Sequence, residues 1–446
     1  MVKSEFKVYR YRWVILAIFM IISFVIQLQW LSHASVERPA EVFYKGQFNQ
    51  NSFFNIDFLA MVYMLVYIIV SFPASYIIDT YGIRVGIGLG AVIAAISGLV
   101  KGFYADSFLI VVLAQVGLAI AQPLVLNAVT AVTVRWFPLR ERGLAAGFAI
   151  LAQYLGIVFA MLVTPLLIGT DPHQANYGSG FPHMLMLYGW LTFGAAVITL
   201  LLLKEKPPTP PAADDLVRQS FFKGIKHILK QRDMILTSFV FLIGLGIFNA
   251  ISSMTDSISA NLGIQDSDGL IGGFMLIGGI FGAVIIPILS DKYRMRKRFM
   301  VICTIGALPG VLGLSLTGYF FHDPSFVYGI ALASAFILGF FIMSAGPVGF
   351  QYAAEISYPA PESISQGLLL WVGQISGLLF VAGMSVRNNR YLNDWMILFS
   401  VLMVVVIYLV FMTKESPMII TEKDKMNAEK ISAAYEGSVV YTDLGN

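Results

Sequence analysis

Twelve apolar runs divide this chain, and their length constrains the fold more tightly than any motif does. They cover residues 13–35, 57–79, 85–105, 108–134, 143–168, 183–203, 233–260, 267–290, 299–320, 324–352, 363–385 and 391–413. About 20 apolar residues, rising 1.5 Å each as a helix, cross the roughly 30 Å of hydrocarbon in a bilayer. A helix also satisfies its own backbone donors and acceptors where no water can. Only 12% of the residues are charged, against about 25% in soluble domains, and the mean hydropathy is +0.77. A soluble globular fold is excluded. The first run is too long for a signal-peptide core and lacks a small-x-small cleavage site, so it reads as a membrane helix. The expected fold is all-α integral membrane, with twelve transmembrane helices.

Basic residues orient the spans. With both termini cytosolic, 24 of the 29 Lys and Arg face inward, leaving Arg38, Lys45, Lys101, Arg387 and Arg390 outside. Cytoplasmic loops carry such an excess, so the chain is expected to be multi-pass in the plasma (inner) membrane. The net charge of +3 is too small to suggest nucleic acid. The single Cys303 rules out an intramolecular disulfide and a thiol metal cluster.

The longest internal connection, 204–232, separates six spans from six. Its first part, Lys204 to Asp215, is Pro-rich and reads as an extended linker. Its second part spaces Leu216, Phe221, Ile225, Ile228 and Leu229 against Lys223, Lys226, Lys230 and Arg232, the pattern of an amphipathic helix on the inner membrane surface. The expected division is a six-helix bundle over 1–203, this linker, a second six-helix bundle over 233–413, and a polar cytosolic tail over 414–446. The halves repeat each other. Phe137-Pro138, Glu141, Gln153 and Gly156 recur as Tyr358-Pro359, Glu362, Gln374 and Gly377 at a constant offset of 221. Asp79, closing span two, likewise matches Asp291, closing span eight. Two pseudo-symmetric six-span bundles are how many carriers build alternating access about a midplane site.

The middles of all twelve spans lack Asp, Glu, Lys and Arg. Charges in hydrocarbon are costly and usually functional, so their absence argues against a proton relay. Carboxylates gather at span ends instead, at Asp57, Asp79, Asp256, Asp291 and Glu355. At the cytosolic side, Asp79, Glu141, Asp291, Glu355 and Glu362 lie near Arg84, Arg142 and Arg294. They are expected to form charge-assisted pairs that latch the halves when the inner side is shut and break when it opens.

The polar residues that do lie mid-span are amides and aromatics: Gln27, Gln29, Trp30, Gln115, Gln122, Asn127, Gln153, Tyr154, Asn249, Trp371 and Gln374. A buried amide must find partners, either between helices or in a wet cavity. Gln153 and Gln374 are best placed for a cavity, because symmetry-related positions face each other across it. Trp30 offers a ring face that can hold an ammonium by cation–π attraction. The candidate substrate contacts are Trp30, Gln29, Gln153, Asn249, Gln374 and Trp371. The five His do not cluster and no H-E-x-x-H or phosphate-binding Gly loop occurs, so neither a metal nor a cofactor is expected.

The segments carry a resemblance. Residues 61–84 end in Asp79-Thr80-Tyr81-Gly82-Ile83-Arg84, similar to the loop 2–3 signature Gly-x-x-x-Asp-Arg-x-Gly-Arg of the major facilitator superfamily, with Ser75 for the first Gly and Thr80 for the Arg. Gln29-Trp30, MVYMLVYI at 61–68, FPA at 72–74 and GPVGFQYAAEISYP at 346–359, leading to Gln374-x-x-Gly377, resemble the feline leukaemia virus subgroup C receptor family, solute-carrier family 49. That resemblance implies facilitated diffusion of choline, ethanolamine, haem or pyridoxine. It further implies a cavity in which Trp30 and an aromatic of span seven cage a cation while Gln153 and Gln374 add polar contacts. The chain departs from it at Asn249, which stands where the choline-transporting relatives have Tyr.

The leading reading is a monomeric facilitative transporter of a small polar or cationic solute in the lipid bilayer. A proton-coupled carrier or exporter is its rival within the class. A receptor that binds ligand without transport is the alternative outside it, and no nucleophile–base pair supports an enzyme.

Overall fold

The computed structural model describes residues 8–48, 54–209, 227–266, 268–357 and 362–417, without the side chains of 139, 140, 142, 143, 362, 363, 387 and 388. The body of the expected amphipathic linker segment, the Tyr358-Pro359 copy of the repeat and residues 418–446 of the tail lie outside these.

Fifteen α-helices are assigned among the described residues. The first half contains α1 (Tyr11–Trp30), α2 (Glu37–Phe43), α3 (Phe58–Tyr81), α4 (Ile83–Phe103), α5 (Phe108–Leu126), α6 (Val129–Trp136), α7 (Leu139–Leu167) and α8 (Phe181–Leu202). The second contains α9 (Arg232–Ser253), α10 (Thr255–Asn261), α11 (Leu270–Tyr293), α12 (Arg296–Phe320), α13 (Pro324–Ile356), α14 (Glu362–Asn389) and α15 (Leu392–Met412). Twelve spans are long and apolar enough to cross a membrane, with α5 and α6 together making one of them. Each half is therefore a six-span bundle. An even number of crossings puts Val8 and Pro417 on one side, called inner after the charge asymmetry.

Two spans differ from the expected runs. The fourth breaks after Leu126, where Ala128 N–H bonds the Val125 carbonyl in a tighter turn four residues past Pro123. A proline removes one backbone donor from a helix, and its ring crowds the turn before it. The seventh stops at Ser253, and the short α10 turns away over residues expected to continue it. α2 holds the matching place after α1, so each half begins with a span and a short outer helix.

The reversal between α3 and α4 is a tight turn whose sequence dictates it. Gly82 sits at φ +99°, and a Cβ there would collide with the Glu205 carboxylate. Glycine alone enters that region without cost and also allows the close approach. The corresponding turn between α11 and α12 uses Arg294 at φ +53°.

Candidate functional site

A cavity of about 880 Å³ lies between the two halves. Its wall runs from Trp30, at the outer end of α1, to Asp79 and Arg135 at the inner end. None of the described outer-loop residues lines it, whereas Asp79, Arg135 and Leu229 of the inner side do, so it opens toward the inner side.

Two glycines set the position of the symmetric amides. A Cβ at Gly156 would drive into the Phe24 carbonyl oxygen, so α7 can lie directly against α1 only because residue 156 has none. On the other side, a Cβ at Gly377 would come within 2.9 Å of Asn249 and 3.1 Å of the Met64 sulfur. Gly377 thus lets α14 touch both α9 and α3. One turn earlier on each helix, three residues away and on the same face, Gln153 and Gln374 line the cavity. Both amides are half-buried, and neither makes a hydrogen bond among the described residues. A half-buried amide without a protein partner is available to a solute or to water.

The rings and remaining amides complete the wall. Trp30 is buried, with its Nε1–H directed at the Ala60 carbonyl (3.4 Å) and its ring 6.3 Å from that of Tyr63. Trp371 donates to the Ile68 carbonyl across the two halves (3.1 Å) and tilts against Phe72. Asn249 lines the cavity with its Nδ2 3.5 Å from the Gly373 carbonyl, and Phe241 and Phe248 are the aromatics of α9 on this wall. Trp30, Gln153, Asn249, Trp371 and Gln374 therefore share one cavity.

Gln29 does not join them. Its side chain is fully buried away from the cavity, donating to Thr192 (3.1 Å) and accepting from Lys101 Nζ (3.3 Å). The reason is helix rotation: Gln27 and Trp30, three apart, share a face, and Gln29 lies about 100° from Trp30 around the axis. Lys101, expected in the outer loops, is itself fully buried, with Ser32 Oγ as its second partner (3.1 Å). It lies between the last turns of α1 and α4, whose carbonyl ends favour a cation.

Two polar groups on the wall are mid-span amides that the sequence did not place among the substrate contacts. Gln122 donates to Gln27 (3.2 Å), a side-chain pair joining α5 to α1. At the break of the fourth span, Asn127 accepts from Tyr67 (2.9 Å) and donates to Ser71 and Ser75 (3.0 and 3.1 Å). Breaks of this kind are where carriers place polar groups along a path.

The inner charges pair within each half. Arg12 forks onto Glu141 (2.9 and 3.3 Å), and Arg135 pairs with Glu205. Glu205 also accepts the N–H groups of Ile83 and Arg84 (3.2 and 2.7 Å), capping α4. In the second half Arg296 holds Asp291 and Glu355, the latter at 3.1 Å. Among the described residues no inner ion pair crosses between halves, as an inward-open cavity requires. Asp79 and the Arg84 side chain are exposed, and Asp79 faces the cavity. Arg294 lies in the α11–α12 turn, and the side chains of Arg142 and Glu362 fall outside those described. Arg296, one of the basic residues at 292–298 that follow Asp291, and Glu205, which the sequence did not single out, are the residues that organise this side.

The ion pair that crosses between the halves is at the outer side, between the matching short helices, with further polar contacts from Asn55 and α14 beside it. Arg38 binds Asp256 through its guanidinium (2.5 and 2.9 Å) and its backbone N–H (2.7 Å). Glu37 accepts from Ser257 (2.6 Å) and Asn389 (3.4 Å), and Asn55 donates to Ser385 (2.6 Å). Glu37, Asp57 and Asp256 are all buried. Burial, reinforced by Asp57 and then Asp256, holds the Glu37 carboxyl well above the usual range. The same burial pushes up Asp57, and lifts Glu41 to about 7 with help from Asp57 and Asp256.

This arrangement is that of a membrane transporter built on two six-span bundles. The sequence matches the model of the Major Facilitator Superfamily over residues 12–381, and the chain belongs to that superfamily. Its members are transporters and not enzymes. The chain is 28% identical over 394 residues to solute carrier family 49 member A3 of Xenopus tropicalis, covering 85% of this chain and 78% of that one. It is 29% identical over 391 residues to the choline/ethanolamine transporter flvcr2a of Danio rerio, covering 84% and 80%. An uncharacterized MFS-type transporter of Caenorhabditis elegans, C09D4.1, is 26% identical over 393 residues; the match takes in 84% of this chain but under two thirds (64%) of that protein. The fold is also that of a bacterial homologue of the lysosomal transporter Spinster in an inward-facing, unoccupied conformation. That structure has a TM-score of 0.66 at 16% identity, covering 91% of this chain and 97% of that one. A D-xylose–proton symporter gives a TM-score of 0.68 at 16% identity, with 91% and 99% covered.

Proposed function

We propose that the chain is a uniporter for a small polar or cationic organic solute of the choline or ethanolamine kind. The observation carrying this reading is the pair of unpartnered amides, Gln153 and Gln374, facing one cavity with Trp30, Trp371 and Asn249. Aromatic faces attract an ammonium, and the amides offer both donors and acceptors to a hydroxyl or amine. The names of the relatives, choline/ethanolamine transporters among them, point the same way. Among the described residues the charged side chains on the cavity wall are Asp79 and Arg135, at its inner mouth, and none of the described carboxylates stands at mid-membrane to exchange a proton with the solute. A small cation or zwitterion equilibrates across such a carrier down its own gradient.

Proteoliposomes containing the purified chain are expected to equilibrate labelled choline or ethanolamine without a pH gradient. Accumulation above equilibrium that collapses with a protonophore favours the second reading, a proton-coupled carrier, for which the outer carboxylates are the supporting feature. Specific binding with no flux of either solute favours a receptor.

A further inference from the structure

We infer that the outer gate carries its own proton site, the Glu37–Asp57 carboxyl pair, and that the gate shuts only when one proton is held there. This rests on the alternating-access reading of the fold, though not on the identity of the solute.

The two side chains are each 4% exposed, and the Glu37 carboxyl is raised by burial and by the nearby Asp57. Two carboxylates repel, and a hydrogen bond between them exists only if one carries the proton. The other donors around the pair are neutral side chains, Ser257 and Asn389 toward Glu37 and Asn55 and Ser385 toward Asp57. One Glu37 oxygen accepts from Ser257 and the other faces Asn389; Asp57 Oδ2 accepts from Asn55, at 3.2 Å. Asp57 Oδ1 has no donor from any described residue, although it is buried. A buried acceptor without a donor is costly, and a protonated Glu37 supplies the missing one. No group of three or more His, Cys, Asp or Glu among the described residues could hold a metal ion instead.

The charges around the pair have one net sign. From α2 come Glu41 and Arg38, and Arg38 is already committed to Asp256 of α10. Tyr177 approaches from the loop before α8, and α14 contributes the neutral Ser385 and Asn389. No second cation among the described residues neutralises Glu37 and Asp57. Docking α2 against α10 therefore brings two buried carboxyls toward Asp256, and the proton removes one of the charges.

The linkage has a definite sign. Glu37 and Asp57 are both held above their ordinary values while the gate is closed, and return toward them once water enters the opened gate. The closed state thus binds the proton, and acid favours it. Opening releases that proton to the outer solution and closing retrieves it from the same side. The proton regulates the gate without being carried across.

The test reads the gate directly in the solute-free full-length protein. Spin labels are placed on the exposed outer positions by Lys45→Cys and His322→Cys, in a background with Cys303→Ser. The outer separation is then measured from about pH 5.5 to about pH 8.5, where a one-proton switch moves the open-to-closed ratio by at most tenfold per pH unit. The expected result is a short distance in acid and a growing long-distance population in alkali. Glu37→Gln keeps the donor toward Asp57 without the charge. It should hold the short distance at every pH, and Asp57→Asn, approaching the same bond from the other side, should do likewise. Glu41→Gln should leave the wild-type response in place. A pH-independent distance in the folded wild type overturns the inference, as does a full wild-type response surviving in Glu37→Gln and Asp57→Asn, or lost in Glu41→Gln. Because no solute enters this measurement, it can succeed where choline transport fails, and the reverse.

Discussion

Replacing Asp256 with Ala is expected to throw the carrier toward its outward-open state by roughly 100-fold. The carboxylate is buried and receives the Arg38 guanidinium at two distances and the Arg38 backbone N–H at a third. Removing one partner of a buried pair costs about 3–5 kcal/mol. Arg38 is a third exposed, so water partly compensates it and the lower figure, about 3 kcal/mol, is appropriate. The loss falls on the outer-closed state alone, because the bonds join α2 of one half to α10 of the other. About 3 kcal/mol corresponds to roughly two powers of ten in the ratio of the states. Reactivity of a cysteine at the outer end of the cavity, introduced by Trp30→Cys, toward an impermeant thiol reagent measures it. Asp256→Asn, which keeps the shape and part of the bonding, should move the ratio less. The exchange of both charges, Arg38→Asp with Asp256→Arg, should restore part of it. A population within about twofold of wild type in Asp256→Ala would remove the outer latch from the mechanism.

The second large effect is at Trp30. If the solute is cationic, Trp30→Ala should weaken binding by about 1–2 kcal/mol, or roughly 5- to 30-fold, the worth of a desolvated cation–π contact. Trp30→Phe keeps a weaker ring face and should lose less. Isothermal titration of the purified variants with choline separates the two. Equal losses in Ala and Phe point to the fit of Trp30 against Tyr63 and Ala60 instead.

Much of this was legible in the sequence, for identifiable reasons. Twelve spans follow from run length, because hydrocarbon thickness sets a fixed count of residues per crossing. The Gln-x-x-Gly repeat led to Gln153 and Gln374 because symmetry ties two positions together more firmly than either local sequence does. Helix periodicity also carried information that went unused. Gln27 and Trp30 share a face, and that spacing already turned Gln29 toward Thr192 and Lys101. The outer latch was illegible for a different reason. Glu37, Arg38, Asp57 and Asp256 lie in short segments without a periodic pattern, and only tertiary folding brings α2 to α10. Glu205 was hidden in a linker that reads as merely polar. The sequence gathers the inner charges at the same ends of the spans, but which partner each takes depends on the state of the carrier.

The placement of the ion pairs has a kinetic consequence. The ion pair among the described residues that joins the halves, Arg38–Asp256, is on the outer side, while the inner ones lie within a half. An empty carrier must therefore break Arg38–Asp256 with no solute contacts to offset the loss, whereas a loaded one can form them with Trp30 and the amides as it moves. Return of the unloaded protein is then the slow leg of the cycle. Labelled solute should enter faster when unlabelled solute waits on the far side than when that side is empty, and equal rates in the two experiments would place the slow leg elsewhere. Such a protein exchanges more readily than it fills, and its net flux follows how much solute the inner compartment removes.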